Sequence, residues 1–291
     1  MYQVNVPIPD SILGLWSHHY SGTASKQAHV SIRDALASYK GWAKETKYDV
    51  FLQGSYKNDT NLRRDSDVDV VVQLAARLRP RVATLRGLQL EQDQAHKLAH
   101  ERWQSFRDQV LKALRTTYGS KAVTPGRKSL KLAKGKIPAS ADVVVTLRYE
   151  TGLAFYLPGE RRWVVSYPQQ HHARGLKKEL ATHGRYKRTI RMFKAARNHL
   201  IENHTIGNRT APSYFIECLL YNVPNGMFKP SLGQSYCGVV EYLAAASLQQ
   251  FKCQNGVREL FGPSRDLWSV DEAQRFVSSL GRLWEKWPEF A

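Results

Sequence analysis

Asp67 and Asp69 stand two residues apart at the head of VDVVVQL (68–74), a dense β-branched run of the buried-strand type. Side chains at i and i+2 of a strand leave from the same face, so both carboxylates point one way. Like charges placed together repel unless a cation lies between them. Hard carboxylate oxygens at a strand end suit Mg²⁺, which keeps waters and substrate phosphates in its shell. A third acid on a neighbouring strand completes a two-metal site, and Asp142 is the obvious candidate, since it opens the apolar run VVVTL and is otherwise unexplained there. In such a site one ion lowers the pKa of an attacking hydroxyl while the other binds a triphosphate and its leaving pyrophosphate. Two Mg²⁺ ions are therefore expected, with Mn²⁺ able to substitute.

Ahead of these acids, Gly54 and Ser55 end a short apolar run, Val50 to Leu52. A glycine permits close backbone approach, and a hydroxyl and an amide can donate to phosphate oxygens, so the pair reads as a phosphate cradle. A lone Gly-Ser is a common turn, and a lone Asp-x-Asp is more often a solvated edge. Here the strand that follows is too apolar for an exposed edge, and the order of the four features argues for a site. Asp59 and Asp65 are assigned to the intervening loop rather than to metal.

The elements that must position these residues follow from periodicity. Ile32, Ala35, Leu36 and Tyr39 form the stripe of an amphipathic helix between about residues 25 and 45. A second helix is expected from about Glu91 to Tyr118, stopped by Gly119. VTPGRKSLKLA and ADVVVTLRY read as strands, and GLAFYLP and RRWVVSYP as a hairpin across Pro-Gly-Glu. Four further helical segments fill the C-terminal part, the last after a cap at Ser269 or Asp271. The expectation is an α/β (α+β) protein with a mixed-sheet catalytic lobe over residues 1–165. A helical nucleotide-binding lobe over 166–291 follows, the two braced by the long N-terminal helix with substrates in the cleft between them.

The formal charge of +18 is unevenly placed. Residues 77–136 hold fifteen Lys/Arg against four Asp/Glu, and residues 161–197 hold eleven against one. Such clustering favours a polyanionic partner, nucleoside triphosphates or nucleic acid. The N-terminus lacks a signal-peptide pattern and no stretch approaches the roughly 18 apolar residues of a membrane span, so a soluble cytoplasmic protein is expected. Cys218, Cys237 and Cys253 show no metal-ligand spacing and read as free thiols. The adjacent His171 and His172 are assigned a loop or surface role.

GSYxNDTxxRxxSDVDVVV followed by a later ADVVV resembles the bacterial relatives of cyclic GMP-AMP synthase and oligoadenylate synthase, the CD-NTases of anti-phage CBASS systems in the DNA polymerase β superfamily. The likeness continues through YKRTIRMFKAARNHL and PSYFIECLLYNVP, covering roughly residues 30 to 225. It implies a polymerase-β-type lobe with a helical second lobe, and Asp67, Asp69 and Asp142 as catalytic metal ligands with Asp142 nearest the attacking hydroxyl. Gly54, Ser55, Lys194 and Ser213 would hold the donor triphosphate, and Tyr214 would stack on a base. Lys187 and Arg191 share the helical face of Lys194 and join that nucleotide-binding set. Ser213, after Pro212, also suits a helix N-cap. The resemblance further implies donor and acceptor nucleoside triphosphates, a cyclic di- or trinucleotide second messenger and a separate effector that reads it. The chain departs from the animal DNA sensor in lacking a Cys/His insertion for a zinc loop, so nucleic acid is not expected to be required. The same three acids would also serve a template-independent RNA-end nucleotidyltransferase.

Overall fold

The computed structural model describes residues 7–20, 22–62, 67–79 and 86–290. In chain order the elements are α1 (Asp10–Ser17), α2 (Thr23–Ser38), β1 (Tyr48–Leu52), α3 (Gly54–Asn58), β2 (Val68–Arg77), α4 (Arg86–Tyr118), β3 (Val123–Pro125) and β4 (Leu130–Leu132). They continue with β5 (Ala141–Tyr149), β6 (Gly152–Leu157), β7 (Arg162–Ser166), α5 (Pro168–Ala181), α6 (Tyr186–Glu202), α7 (Ser213–Tyr221), α8 (Leu232–Ala245) and α9 (Val270–Glu285). Two compact units result: residues 21–57 with 65–168, and residues 1–20 with 58–64 and 169–291. The expected lobe boundary lies between residues 165 and 166, and the boundary between the units lies between 168 and 169. Residues 1–20 and 58–64 nevertheless group with the helical unit, and α2, the helix expected to brace both lobes, lies wholly in the α/β unit.

In the α/β unit the strands run in the order β1-β2-β5-β4-β3, with β6 also on β5 and β7 on β6. β2 and β5 are parallel, and the other pairings are antiparallel. VTPGRKSLKLA, read as a strand, is a hairpin, because the Gly126 N–H donates to Ser129 O at 2.7 Å and folds β4 back on β3. Val68, Val70 and Val72 of β2 and Val143, Val145 and Leu147 of β5 project from one face. They pack on Ile32 and Leu36 of α2 and on Trp103, Phe106, Val110 and Leu114 of α4. The intervening positions, Asp69 and Asp142 among them, therefore occupy the other face. β5 pairs with β4 over residues 141–143 and with β6 over 147–149. Between those stretches, Val145 O accepts from the Trp103 indole at 2.8 Å.

The helical unit is built on α6, whose Ile190, Phe193, Ala196 and Leu200 are buried against α7, α8 and α9. Two isolated bridges, Lys252 to Glu259 and Phe261 to Trp268, interrupt the helical pattern. The three cysteines are free thiols. Among the described residues no helix is long and apolar enough to cross a membrane.

Trp103 is 1% exposed, so Trp103→Phe leaves the Val145 carbonyl buried without its donor. The expected loss is about 1–3 kcal/mol of stability, measured as a lower urea midpoint with unchanged slope; an unchanged midpoint would contradict this role.

Candidate active site

β1 delivers the chain to Gly54, which takes φ +69, a conformation that favours glycine. The preceding Gln53 N–H donates to Asp69 O at 3.0 Å, tying the end of β1 to the start of β2. A Cβ placed on Gly54 would lie 2.0 Å from Asp69 Oδ2, so the glycine backbone packs directly on that carboxylate. Ser55 follows, half-buried, in the single helical turn of α3 rather than in the expected open loop.

Asp69 and Asp142 are register partners across the parallel β2–β5 pair, so their side chains share one face on neighbouring strands. Asp67 lies just before β2 and is exposed. Two serines orient the outer acids: Ser140 Oγ donates to Asp67 Oδ1, and the buried Ser129 donates to Asp142 Oδ1 at 2.9 Å. Each bond occupies one carboxylate oxygen. Among the described residues no three acidic, histidine or cysteine side chains are gathered into a ready metal cluster. Register brings Asp69 and Asp142 together, whereas Asp67 turns to Ser140. The donor set is all hard oxygen, with no imidazole or thiolate, which matches Mg²⁺ chemistry. Ser129 and Ser140 escaped sequence reasoning because serines beside strands are ordinary turn residues.

The cations on α6 do share one face, as their spacing requires, but that face meets other parts of the helical unit. Lys187 Nζ donates to Asp59 Oδ2 at 2.8 Å. Arg191 donates through Nε to Ser17 O at 2.8 Å and through Nη1 to Asp59 O at 2.6 Å. Lys194, 1% exposed, donates to Glu217 Oε1 at 2.7 Å and to Thr60 O at 3.0 Å. Lys194, assigned to a triphosphate from the resemblance, is thus enclosed here, with its ammonium on Thr60 and Glu217. Lys187 and Arg191 are likewise committed to Asp59, which holds φ +56. With Arg197 also buried, four of the eleven cations of residues 161–197 are internal.

Glu217 is the hub that sequence reasoning missed. At 4% exposed, it also accepts from Thr60 Oγ1 at 2.6 Å and pairs with His171 Nε2 at 2.6 Å. Burial alone pushes its carboxyl up, but the Lys194 ammonium and the His171 contact outweigh burial and hold it well below the usual carboxylate range. The signal available was one acid inside the apolar segment SYFIECLLY. His171 and His172 are on α5, not on a loop. His171 is buried, and His172 Nδ1 meets Asn58 Oδ1 at 3.1 Å.

Ser213 is the first residue of α7; Pro212 occupies the N-cap and supplies no side-chain cap, correcting the capping role. The Ser213 hydroxyl instead accepts from Arg197 Nη2 at 3.4 Å. Tyr214 is 40% exposed, with its ring stacked on His171 at 5.0 Å and its hydroxyl accepting from Asn255 Nδ2 at 3.0 Å. An aromatic held this way can offer part of its surface to a base. Asp65 lies outside the described residues.

Glu217→Gln leaves Lys194 buried without its counter-ion, and about 3–5 kcal/mol of stability should be lost. Adding Lys194→Met should recover most of it, as read by urea unfolding. Because the folded pKa of Glu217 is depressed, its contribution is complete above the unfolded glutamate value of about 4.3 and falls away as pH drops below it. Wild-type stability should therefore decline more steeply below that pH than that of the double variant; parallel curves would contradict the assignment.

Residues 173–285 match the family model of the cGAS/DncV-like nucleotidyltransferase C-terminal helical domain. The chain is 43% identical over 297 residues to the cyclic UMP-AMP synthase of Rhodothermus marinus, covering 97% of this chain and 99% of that protein. It is 31% identical over 300 residues to the cyclic nucleotide synthase CdnE01 of Staphylococcus haemolyticus, covering 96% and 99%. The solved Rhodothermus marinus CdnE c-UMP-AMP synthase superposes with a TM-score of 0.84 at 42% identity, covering 97% of this chain and 98% of that one. An acid pair in register beside a glycine cradle, in a chain matching such enzymes over almost its whole length, places the protein among the CD-NTases, the cGAS/DncV-like nucleotidyltransferases that act as cyclic nucleotide synthases.

Proposed function

We propose that the enzyme condenses nucleoside triphosphates into a cyclic di- or trinucleotide with release of pyrophosphate. Asp67, Asp69 and Asp142 would hold two Mg²⁺ ions, for which Mn²⁺ can substitute. The observation that carries this reading is the register of Asp69 with Asp142, together with the close packing of Gly54 on Asp69. The solved relative's description, a c-UMP-AMP synthase with Apcpp and Upnpp, supports nucleoside triphosphates as both donor and acceptor.

Gly54 keeps the backbone beside Asp69 free of side chain, so a phosphate can approach the Gly54–Ser55 amides and the Ser55 hydroxyl. Ser129 holds one oxygen of Asp142 and Ser140 one oxygen of Asp67, which orients each remaining oxygen without a rotamer search when substrate arrives. When bound, the ions would lower the pKa of the acceptor hydroxyl and stabilise charge on the departing pyrophosphate. Phosphoryl transfer asks little covalent work of the protein, so orientation and charge placement supply most of the acceleration. In this reading the product is a second messenger of CBASS anti-phage defence in the cytoplasm, a separate effector reads it, and nucleic acid is not required.

The test is incubation with all four radiolabelled nucleoside triphosphates and Mg²⁺ or Mn²⁺, followed by phosphatase. A small phosphatase-resistant product formed without added nucleic acid is expected. Label found only in long chains, or only when RNA is supplied, would replace this reading with RNA-end nucleotidyl transfer.

A further inference from the structure

The row of side chains that contains Asp69 and Asp142 does not end at Asp142. Lys131 of β4 is the register partner of Asp142 across the antiparallel β4–β5 pair, so Asp69, Asp142 and Lys131 lie side by side on one face of the sheet. Successive strands are about 4.8 Å apart, which places a lysine stem roughly one strand spacing beyond Asp142. Lys131 is exposed, and among the described residues its ammonium makes no ion pair or hydrogen bond. Its Cγ and Cε pass 3.6 and 3.5 Å from the position a Cβ on Gly126 would take, so the stem runs over a residue that leaves it room.

The hairpin carrying Lys131 is fixed by other cations. Arg107 Nη2 donates to Gly126 O at 3.4 Å, and Arg127 pairs with Glu160, which also takes Arg162. Lys131 contributes nothing to that bracing, yet it stands on the sheet face that carries the acids, next in register to Asp142. Of the exposed lysines on this hairpin, it is the one in register with Asp142, whereas Lys128 sits in the turn.

We infer that Lys131 binds the phosphates of the acceptor nucleotide. This rests on the proposed reaction, in which the donor triphosphate lies at the Gly54–Ser55 end of the row. The acceptor then lies at the Asp142 end, and the cation next beyond Asp142 meets the acceptor's own anionic group. An exposed ammonium on a flexible stem suits a phosphate as a point charge without demanding one fixed geometry. The ligand class is a 5′-phosphorylated nucleotide, so the enzyme discriminates against an unphosphorylated nucleoside as acceptor.

The experiment separates the two substrates. Each 2′,3′-dideoxynucleoside triphosphate serves as a donor that cannot accept, and each α,β-methylene triphosphate as an acceptor that cannot donate; formation of a single dinucleotide bond is followed. Lys131→Met should raise the acceptor KM about tenfold, the scale of one charge-assisted hydrogen bond, with kcat, donor KM and the Mg²⁺ midpoint unchanged. The preference for a triphosphorylated acceptor over the free nucleoside should shrink by the same factor. Lys131→Arg should restore most of both, and Lys128→Met should behave as wild type. An unchanged acceptor KM overturns the inference. So does an equal change in donor KM or in the Mg²⁺ midpoint, because Lys131 would then act on the acids and not on the acceptor. If the wild-type enzyme forms no bond with any pair, the proposed reaction fails and the inference falls with it; a working wild type with an unaffected Lys131→Met defeats Lys131 alone.

Discussion

Placing Asp69 beside Asp142 on parallel neighbouring strands is electrostatically unfavourable, and the packing on the other face of the sheet enforces it. Side chains alternate with a period of two, so a slip of one residue between β2 and β5 would bury an acid and expose a valine on the slipped strand. Val68, Val70 and Val72 on one side, and Val143, Val145 and Leu147 on the other, are all closed against α2 and α4. At roughly 1.5–3 kcal/mol for each such side chain fully buried, that face outweighs repulsion between two partly solvated carboxylates. The apolar core thus sets the geometry of the acids, and Gly54 completes it, because no other residue lets the backbone lie so close to Asp69.

The helical unit spends its charge differently. Lys187, Arg191 and Lys194 are directed at Asp59 and Thr60, and Glu217 closes the arrangement from α7 with His171 from α5. Residues 58–64 belong to this unit, although the chain on either side of them belongs to the α/β unit. Asp59 and Thr60 are therefore held by Lys187, Arg191 and Lys194, the last of them in a buried ion pair with Glu217. Breaking one of these leaves an uncompensated charge, which makes such an anchor costly to disturb.

What could be read from the sequence reflects how local each signal is. Strand alternation is a property of a few consecutive residues, so the strands that carry Asp69 and Asp142 were legible, as were α2, α4, α6 and the β6–β7 hairpin. The register that seats Asp142 opposite Asp69 depends on residues about seventy positions apart and could only be supposed. Lys194 shows the opposite limit: helical spacing correctly grouped it with Lys187 and Arg191, but spacing does not say what a face meets. Its acceptors, Thr60 and Glu217, are distant in sequence, and the charge that suggested a phosphate ligand is neutralised inside the fold. His171 was misassigned for the same reason, since its partner Glu217 lies on another helix. Ser129 and Ser140 carried no local signature at all.

If Asp69 and Asp142 act together as the reacting centre, pyrophosphate release from nucleoside triphosphates measures their joint action most directly. Wild-type enzyme should release pyrophosphate only when a divalent cation is present. Asp69→Asn and Asp142→Asn, each folded by circular dichroism, should each lose about a hundredfold or more of that rate, as when a group stabilising the transition state is removed. Release at the wild-type rate by either variant, or by the wild type in chelator, would contradict it.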